Sequence, residues 1–292
     1  MGHPVPTIAA LLCLLILLAG CGRPVVTNER AAESTDETTG ETTSPNVESS
    51  PELEKAADAY EVYVADQMVL MDKHTKQFTD AVIAGDLERA KELYAPAREP
   101  WERIESIAAQ LGDYDPEIDA REGDVPDDEW GGFHRIEKSL WVGGTTNGQE
   151  KYARKLAEDV DSLRGEIGGL ELEPADLVIG SVELLNEVSA GKITGEEERY
   201  SHTDLYDIQA NVEGSEAAFE ELEPEIAEKD PMLVEDVEKG FEGVYKELEQ
   251  YRQGDGWVSY EELAESDRRA LSQKVDALAE PLSQAGQVLE KG

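Results

Sequence analysis

His134 and Glu137 are the two residues of this sequence whose types and spacing could do chemistry. They lie three positions apart in a segment of helical character that runs from Gly131 to Trp141. Side chains at positions i and i+3 of an α-helix lie on one face, so the imidazole and the carboxylate point the same way. Helical bundles build metal sites from such pairs on facing helices. The spacing therefore predicts a metal site, while a solvated pair on a surface helix is the alternative.

The acidity of the chain limits its partners. The chain has 66 Asp and Glu residues against 26 Lys and Arg residues, a formal net charge of −40 over 292 residues. This charge argues against binding of nucleic acid, or of anionic lipid through a basic patch. Acidic residues are spread along every segment, which favours a hydrated surface suited to high salt over a chain devoted to collecting cations. A functional site should involve only a few of them.

The N-terminal part of the chain predicts export and anchoring. Residues 1–20 contain an apolar run, from Ile8 to Leu18, that is too short to span a bilayer and indicates a signal peptide. Small residues before Cys21 resemble the lipobox of bacterial lipoproteins, which implies lipid attachment at that thiol; an ordinary secretory signal with an incidental cysteine is the alternative. Residues 21–50 are polar and acidic and predict a disordered tether. We expect a lipid-anchored protein on the extracytoplasmic face of the cell membrane.

The elements that must position His134 and Glu137 are helices, predicted throughout residues 51–292. Apolar residues recur at three-, four- and seven-residue steps, as in the series from Val64 to Val82, and strand signals are scarce. Helices are predicted over 51–84, 86–111, 132–142, 148–168, 174–190, 196–226, 231–252 and 259–290, with a loop over 112–130. Kinks or breaks are expected at Pro96, Pro100, Pro224 and Pro281.

Four phrases of the sequence, taken in order, resemble one protein family. They are Tyr94–Glu105, Gly112–Asp119, Gly132–Lys138 and Lys192–Leu205. Together they are similar to the imelysin-like domain of EfeO-type iron-uptake lipoproteins, a family historically grouped with imelysin peptidases. The resemblance covers about residues 52–290 and implies an all-α fold made of two antiparallel four-helix bundles.

The resemblance implies a metal-binding protein of an iron-uptake system and not an enzyme. Such a protein would bind iron, as Fe²⁺ or Fe³⁺, and deliver it to a membrane permease, with a haem-type peroxidase as a further partner. The His-x-x-Glu motif is the family's presumed metal motif, and His134 and Glu137 match it. Carboxylates with one imidazole suit iron or manganese, and the imidazole also admits zinc or copper.

Because a ligating imidazole must be deprotonated, the affinity of the site for iron should fall as pH drops through the histidine range near 6.5.

Within this resemblance, four further carboxylates are candidate ligands, namely Glu102, Asp115, Glu197 and Glu198. Glu102 shares a helix face with Glu105, and one of these two side chains could merely face solvent. Asp115 lies in the predicted loop over 112–130, and Glu197 and Glu198 open the helix predicted over 196–226.

Three of these carboxylates also have a purely structural interpretation. Asp115 fits turn chemistry beside a proline. Glu197 could complete a capping box with Thr194, and Glu198 could form a surface pair with His202.

Two other functions are alternatives. A metallopeptidase, suggested by the imelysin name, needs a metal with an open coordination position and a general base. The sequence has no HExxH motif and no second constellation that would supply these groups. Binding of an acidic polysaccharide, described within related proteins, would require bridging cations because a chain of charge −40 repels a polyanion.

Overall fold

Helices form most of the chain that the structure, a computed structural model, describes, namely residues 50–112 and 114–290. The helices of these residues are α1 (Pro51–Ala84), α2 (Leu87–Ile104), α3 (Tyr114–Asp119), α4 (Gly132–Trp141), α5 (Glu150–Glu166), α6 (Pro174–Ala190), α7 (Asp204–Lys229), α8 (Pro231–Leu248) and α9 (Glu265–Glu290). Short 3-10 turns occupy Glu105–Gln110, Ile167–Gly169, Lys192–Thr194, Glu249–Tyr251 and Tyr260–Glu262. Strands β1 (Arg252–Gln253) and β2 (Gly256–Trp257) form a small antiparallel hairpin.

The predicted all-α class is confirmed, and the predicted apolar stripes form the core. On α1, the series from Val64 to Val82 is buried, and each large apolar side chain removed from water contributes about 1.5–3 kcal/mol. This helix begins where expected, because the Ser50 hydroxyl accepts a hydrogen bond from the Leu53 amide at 3.1 Å and Pro51 occupies the first turn.

The long helices fall into two sets, and α7 packs against helices of both. In one set, α1 packs against α2, α5 and α7, and α2 packs against α7. In the other, α6 and α8 both pack against α7 and α9. The division into two antiparallel four-helix bundles remains a prediction.

The N-terminal predictions lie outside the described residues. These are the signal peptide over 1–20, the lipidated Cys21 and the tether up to residue 49. None of the described helices combines the length and the apolar character that a membrane span requires.

Residues 196–203 are not helical, which corrects the predicted helix over 196–226. Gly195 has φ +79° and His202 has φ +57°, so the backbone leaves the helical region at both ends of this segment, and α7 starts only at Asp204. The Thr194 hydroxyl donates to the Gly191 carbonyl at 2.7 Å, so the capping box with Glu197 does not form. We call residues 195–203 the acidic loop segment.

Two further sequence-based expectations are modified. The predicted loop over 112–130 contains the short helix α3. The four helix-interior prolines do not break their helices, since α2, α7 and α9 continue past them, and kinks at these prolines remain a prediction.

Gly132 allows α4 to begin directly against the end of α3. Its φ is +69°, and a Cβ at this position would lie 2.2 Å from the Ile118 carbonyl oxygen. Only a residue without a Cβ permits this approach. The contact brings Asp119, at the end of α3, beside His134 in the first turn of α4.

Replacing Gly132 by alanine should therefore destabilise the fold more than a matched change elsewhere. Gly144 has a similar φ of +59°, but an added Cβ there meets no atom within 4 Å. Gly144→Ala should cost only the left-handed backbone penalty of about 1–2 kcal/mol. Gly132→Ala should lower the free energy of unfolding by several kcal/mol more than this, measured by urea unfolding; equal costs for the two variants would contradict the packing argument.

Candidate metal centre

His134 lies within a buried cluster of acidic side chains. Its Nδ1 is 3.1 Å from Glu137 Oε2, its Nε2 is 3.3 Å from Asp119 Oδ1, and the same Nε2 is 3.8 Å from Glu197 Oε1. All four residues are buried. His134 and Glu137 share the inward face of α4, as their spacing predicts. The ring thus faces a different carboxylate group on each of its nitrogens.

Two overlapping groups of side chains could hold a metal ion. One consists of Asp119, His134 and Glu197, and the other of His134, Glu137 and Glu198. Within each group the possible ligand atoms lie within 4.8 Å of one another. Of the predicted carboxylates, the structure thus brings Glu137, Glu197 and Glu198 together around His134.

Glu137 is held on both of its oxygens. Oε1 accepts hydrogen bonds from the backbone amides of Tyr200 at 3.0 Å and Ser201 at 2.7 Å, both in the acidic loop segment. Oε2 faces His134 Nδ1. The loop therefore fixes the carboxylate, and the carboxylate fixes the imidazole.

Arg98 on α2 lies among the carboxylates with no exposed side-chain surface. Its guanidinium forms hydrogen-bonded ion pairs with Glu102 and Asp119, and its Nε is 2.6 Å from Glu198 Oε1. Asp119 also accepts a hydrogen bond from Trp101 Nε1 at 3.0 Å. The guanidinium thus connects α2, α3 and the acidic loop segment.

Glu102 belongs to the network around Arg98 and Lys192 and not to the groups around His134. One of its oxygens pairs with Arg98 and the other with the fully buried Lys192 ammonium. Lys192 also donates to Glu105 at 2.8 Å, and the Asn211 amide donates to Glu102 Oε2 at 3.1 Å. Both carboxylate oxygens of this predicted ligand therefore already have cationic partners.

Asp115 lies away from His134, at an acidic cavity of about 270 Å³ beside the cluster. The cavity is lined by Glu105, Asp115, Pro116, Asp119, Ala120, Arg121, Asp124, Val125, Glu187 and Glu197. Asp119 and Glu197, which line it, are the two carboxylates that face His134 Nε2. We call it the acidic cavity, and these two carboxylates are its link to the Nε2 side of the imidazole.

Protons, as well as side chains, balance charge in this cluster. Burial and Arg98 act to lower the pKa of His134, but Asp119, Glu137 and Glu198 outweigh them and raise it to about 10. Burial raises the pKa of Glu198 to about 8, despite the nearby guanidinium. Burial also acts to raise the pKa of Asp119, but Arg98 and His134 hold it below its usual range. A metal cation could displace the protons on His134 and Glu198.

Asp119, Arg98 and Lys192 are the central residues that the sequence did not assign to the site. Each lies within one of the four phrases that carry the family resemblance. Their types gave no signal, because acidic and basic residues are common along the chain and only burial distinguishes these three. Only Asp119 has a signal in the sequence, since it lies four residues after the predicted ligand Asp115 in the same phrase.

The donor set fits a cation that prefers oxygen ligands. The described cluster offers several carboxylates and one imidazole, the set expected for iron or manganese and compatible with zinc. The buried acids Glu102, Asp119, Glu137, Glu197, Glu198, Asp204 and Asp207 outnumber the buried bases Arg98 and Lys192. The local charge therefore favours a further cation.

Comparisons with known proteins identify the family of this chain and several relatives. Residues 56–285 match the family model for imelysin, peptidase M75. An Efem/EfeO family lipoprotein of Staphylococcus haemolyticus is 41% identical over 293 residues, which covers 98% of this chain and 99% of that protein. The iron uptake system component EfeO of Escherichia coli O1:K1 is 46% identical over 238 residues, 80% of this chain and 64% of that protein. The chain thus spans less than two thirds of the E. coli relative.

Loss of the Arg98 guanidinium should lower the free energy of unfolding far more than loss of a surface guanidinium. Arg98→Gln leaves several buried carboxylates without their counter-charge, and breaking a buried ion pair in this way costs about 3–5 kcal/mol. Arg89 lies on the same helix and pairs with Glu92 at 3.0 Å on the surface. Arg89→Gln should cost less than about 1 kcal/mol. Urea unfolding of both variants measures the difference, and a mild effect of Arg98→Gln would show that the guanidinium does not hold the cluster together.

Proposed function

Because the chain belongs to the imelysin family, we propose that it is a non-enzymatic, iron-binding component of an iron-uptake system. Two observations support this role: the buried carboxylate–imidazole cluster, and similarity to relatives named for iron uptake. The same names favour a binding function over the peptidase activity that the family's other name suggests. The cluster around His134 is the observation that carries the proposal.

The proposed iron position is on the Nε2 side of His134, between Asp119 and Glu197. These three residues supply one nitrogen and two carboxylates, and both carboxylates line the acidic cavity through which a hydrated cation could arrive. Among the described residues that line this cavity, neither Glu137 nor Glu198 is found.

In this proposal Glu137 orients the imidazole. It faces Nδ1, and two backbone amides hold its other oxygen. A carboxylate that accepts the second N–H of a ligating histidine fixes the tautomer and raises the basicity of the ligand. Direct ligation by Glu137, which the sequence predicts, is the alternative, with Glu198 as the neighbouring carboxylate. In the main proposal, with iron on the Nε2 side, Asp115 attracts the cation at the acidic cavity. Glu102 contributes negative charge to the buried network around Arg98 and Lys192.

Delivery to a membrane permease, cooperation with a haem-type peroxidase and anchoring through Cys21 complete the proposal. The family relationship supports an extracytoplasmic, membrane-anchored protein, since one relative is named a lipoprotein.

Removal of His134 should abolish specific iron binding. His134→Ala takes away the only nitrogen donor of both described groups, so we expect iron affinity to fall by more than the 10–100-fold typical of losing an outer-shell partner. Anaerobic isothermal titration with Fe²⁺ measures this, and circular dichroism checks that the helices remain.

Two further variants sharpen the same experiment. His74→Ala removes a histidine that contacts only the Pro96 carbonyl in the described contacts, at 3.1 Å, and should bind iron normally. Glu137→Gln should lose about 10–100-fold if Glu137 orients the ring. Wild-type affinity in His134→Ala would refute the assigned site.

Iron affinity should depend on pH throughout the neutral range. His134 has a pKa of about 10 in the metal-free protein, above the histidine value expected from sequence. Iron must therefore displace a proton at neutral pH, and affinity should fall by at least about tenfold per pH unit from about pH 8 to about pH 6. Titrations in buffers of different ionisation enthalpy should show at least about one proton released per iron. An affinity that does not change over this range would contradict ligation by the imidazole.

A further inference from the structure

Arg121 holds one of the carboxylates assigned to iron. Its Nη1 is 2.7 Å from Glu197 Oε2, while the other oxygen of that carboxylate, Oε1, faces His134 Nε2 at 3.8 Å. The Arg121 Nε is 3.2 Å from Asp124 Oδ2, and its backbone amide donates to the same oxygen at 3.0 Å. Glu197 is thus shared between a possible metal position and a guanidinium at the cavity wall.

Arg121 differs from the other two cations of the network in its access to water. Arg98 and Lys192 have no exposed side-chain surface, whereas 34% of the Arg121 side chain is exposed. A buried guanidinium cannot leave its partners without a large desolvation imbalance. A partly exposed guanidinium can rotate into water, and a metal cation that takes its place would compensate the charge of the buried Glu197 carboxylate.

The place of Arg121 is at the acidic cavity itself. Arg121, Asp124 and Glu197 are all part of its lining, together with Asp119. A cation that approaches His134 Nε2 through this cavity meets Glu197 already neutralised by the guanidinium. Binding of that cation must then either exclude the guanidinium or tolerate its repulsion at close range.

We propose that Arg121 is a displaceable counter-ion of Glu197, which occupies the carboxylate in the metal-free protein and leaves it when a metal cation binds. This inference rests on the proposed iron site and adds a residue that tunes release. The guanidinium lowers metal affinity, because part of the binding free energy is spent on its displacement. It also speeds dissociation, since it can reclaim the carboxylate as the metal departs. Faster dissociation of this kind suits a protein that must release the iron it binds.

Arg121→Gln should therefore bind metal more tightly than the wild type. We expect affinity for Fe²⁺, measured anaerobically, to rise about tenfold, the scale of one nearby unit charge at a partly exposed site. Dissociation into a chelator, followed by stopped flow, should slow correspondingly. Arg121→Lys keeps the charge and should stay close to wild type. The gain should shrink as salt is added, because the competing charge is partly exposed.

Arg199 provides the matched control. It has a similar side-chain exposure of 31%, and its guanidinium contacts the Glu122 and Glu196 carbonyls and the exposed Glu196 carboxylate, none of which belongs to the proposed site. Arg199→Gln removes the same charge and should leave affinity and dissociation nearly unchanged. An equal gain in Arg199→Gln would mean that only overall charge matters and would overturn the specific role of Arg121.

A measurement on the unsubstituted protein guards against a variant that fails to fold. Zn²⁺ is a diamagnetic probe, and nitrogen-detected NMR of arginine Nε–H groups reports ion pairing. Zinc should move the Arg121 signal towards that of a solvated guanidinium while the Arg98 signal stays protected. An unchanged Arg121 signal at zinc saturation, or a folded Arg121→Gln that binds no more tightly than wild type, would overturn the inference.

The outcome also separates this inference from the function on which it rests. If the wild type binds no iron, the proposed function fails, and the role of Arg121 fails with it. If the wild type binds iron through His134 but Arg121→Gln shows no gain, only the role of Arg121 fails.

Discussion

Arg98 forms ion pairs with Glu102, Asp119 and Glu198 at a point with no solvent exposure, and these contacts join parts of the chain that are far apart in sequence. Burial of one charge would cost several kcal/mol, and only partners in good geometry offset this. The guanidinium therefore requires α2, the end of α3 and the acidic loop segment to be in place together. His134 shares Asp119 and Glu198 with this guanidinium, so the candidate metal position depends on the network that stabilises the fold.

The balance of charge in this region explains how one cluster can both stabilise the fold and bind a metal cation. Arg98 and Lys192 neutralise part of the acidity permanently, because both are fully buried. Protons on His134 and Glu198, together with the partly exposed Arg121, neutralise a further part reversibly. A metal cation can replace the reversible contributions without disturbing the permanent ones. This division assigns structural and functional roles to side chains of the same chemical type.

The sequence predicts the helices well because helical periodicity and caps are local properties. The pattern from Val64 to Val82 appears in α1 as expected, and the helix has the predicted bounds, Pro51–Ala84. The sequence also places His134 and Glu137 on one face of a helix, because the i,i+3 spacing is a local property too. The acidic loop segment could not be predicted, because its course depends on the backbone amides that bind Glu137 and on a left-handed His202.

The choice among carboxylates is the least predictable part, since it depends on long-range packing. Asp115 and Asp119 are one helical turn apart on α3, yet Asp119 meets the imidazole and Asp115 lies at the cavity. Glu102 is buried as a ligand would be, but two cations already occupy its oxygens. Burial of a charged residue is not visible in a chain with 66 acidic residues, where composition alone offers many equivalent candidates.

The central claim is that iron binds at the Nε2 side of His134, between Asp119 and Glu197. A crystal structure of the iron-loaded protein, with anomalous data collected on both sides of the iron absorption edge, tests it most directly. The account predicts one strong anomalous peak within bonding distance of His134 Nε2 and of carboxylate oxygens of Asp119 and Glu197, with Glu137 still facing Nδ1. A peak bonded to Glu137 and Glu198 at the Nδ1 side, or one remote from His134, would contradict it.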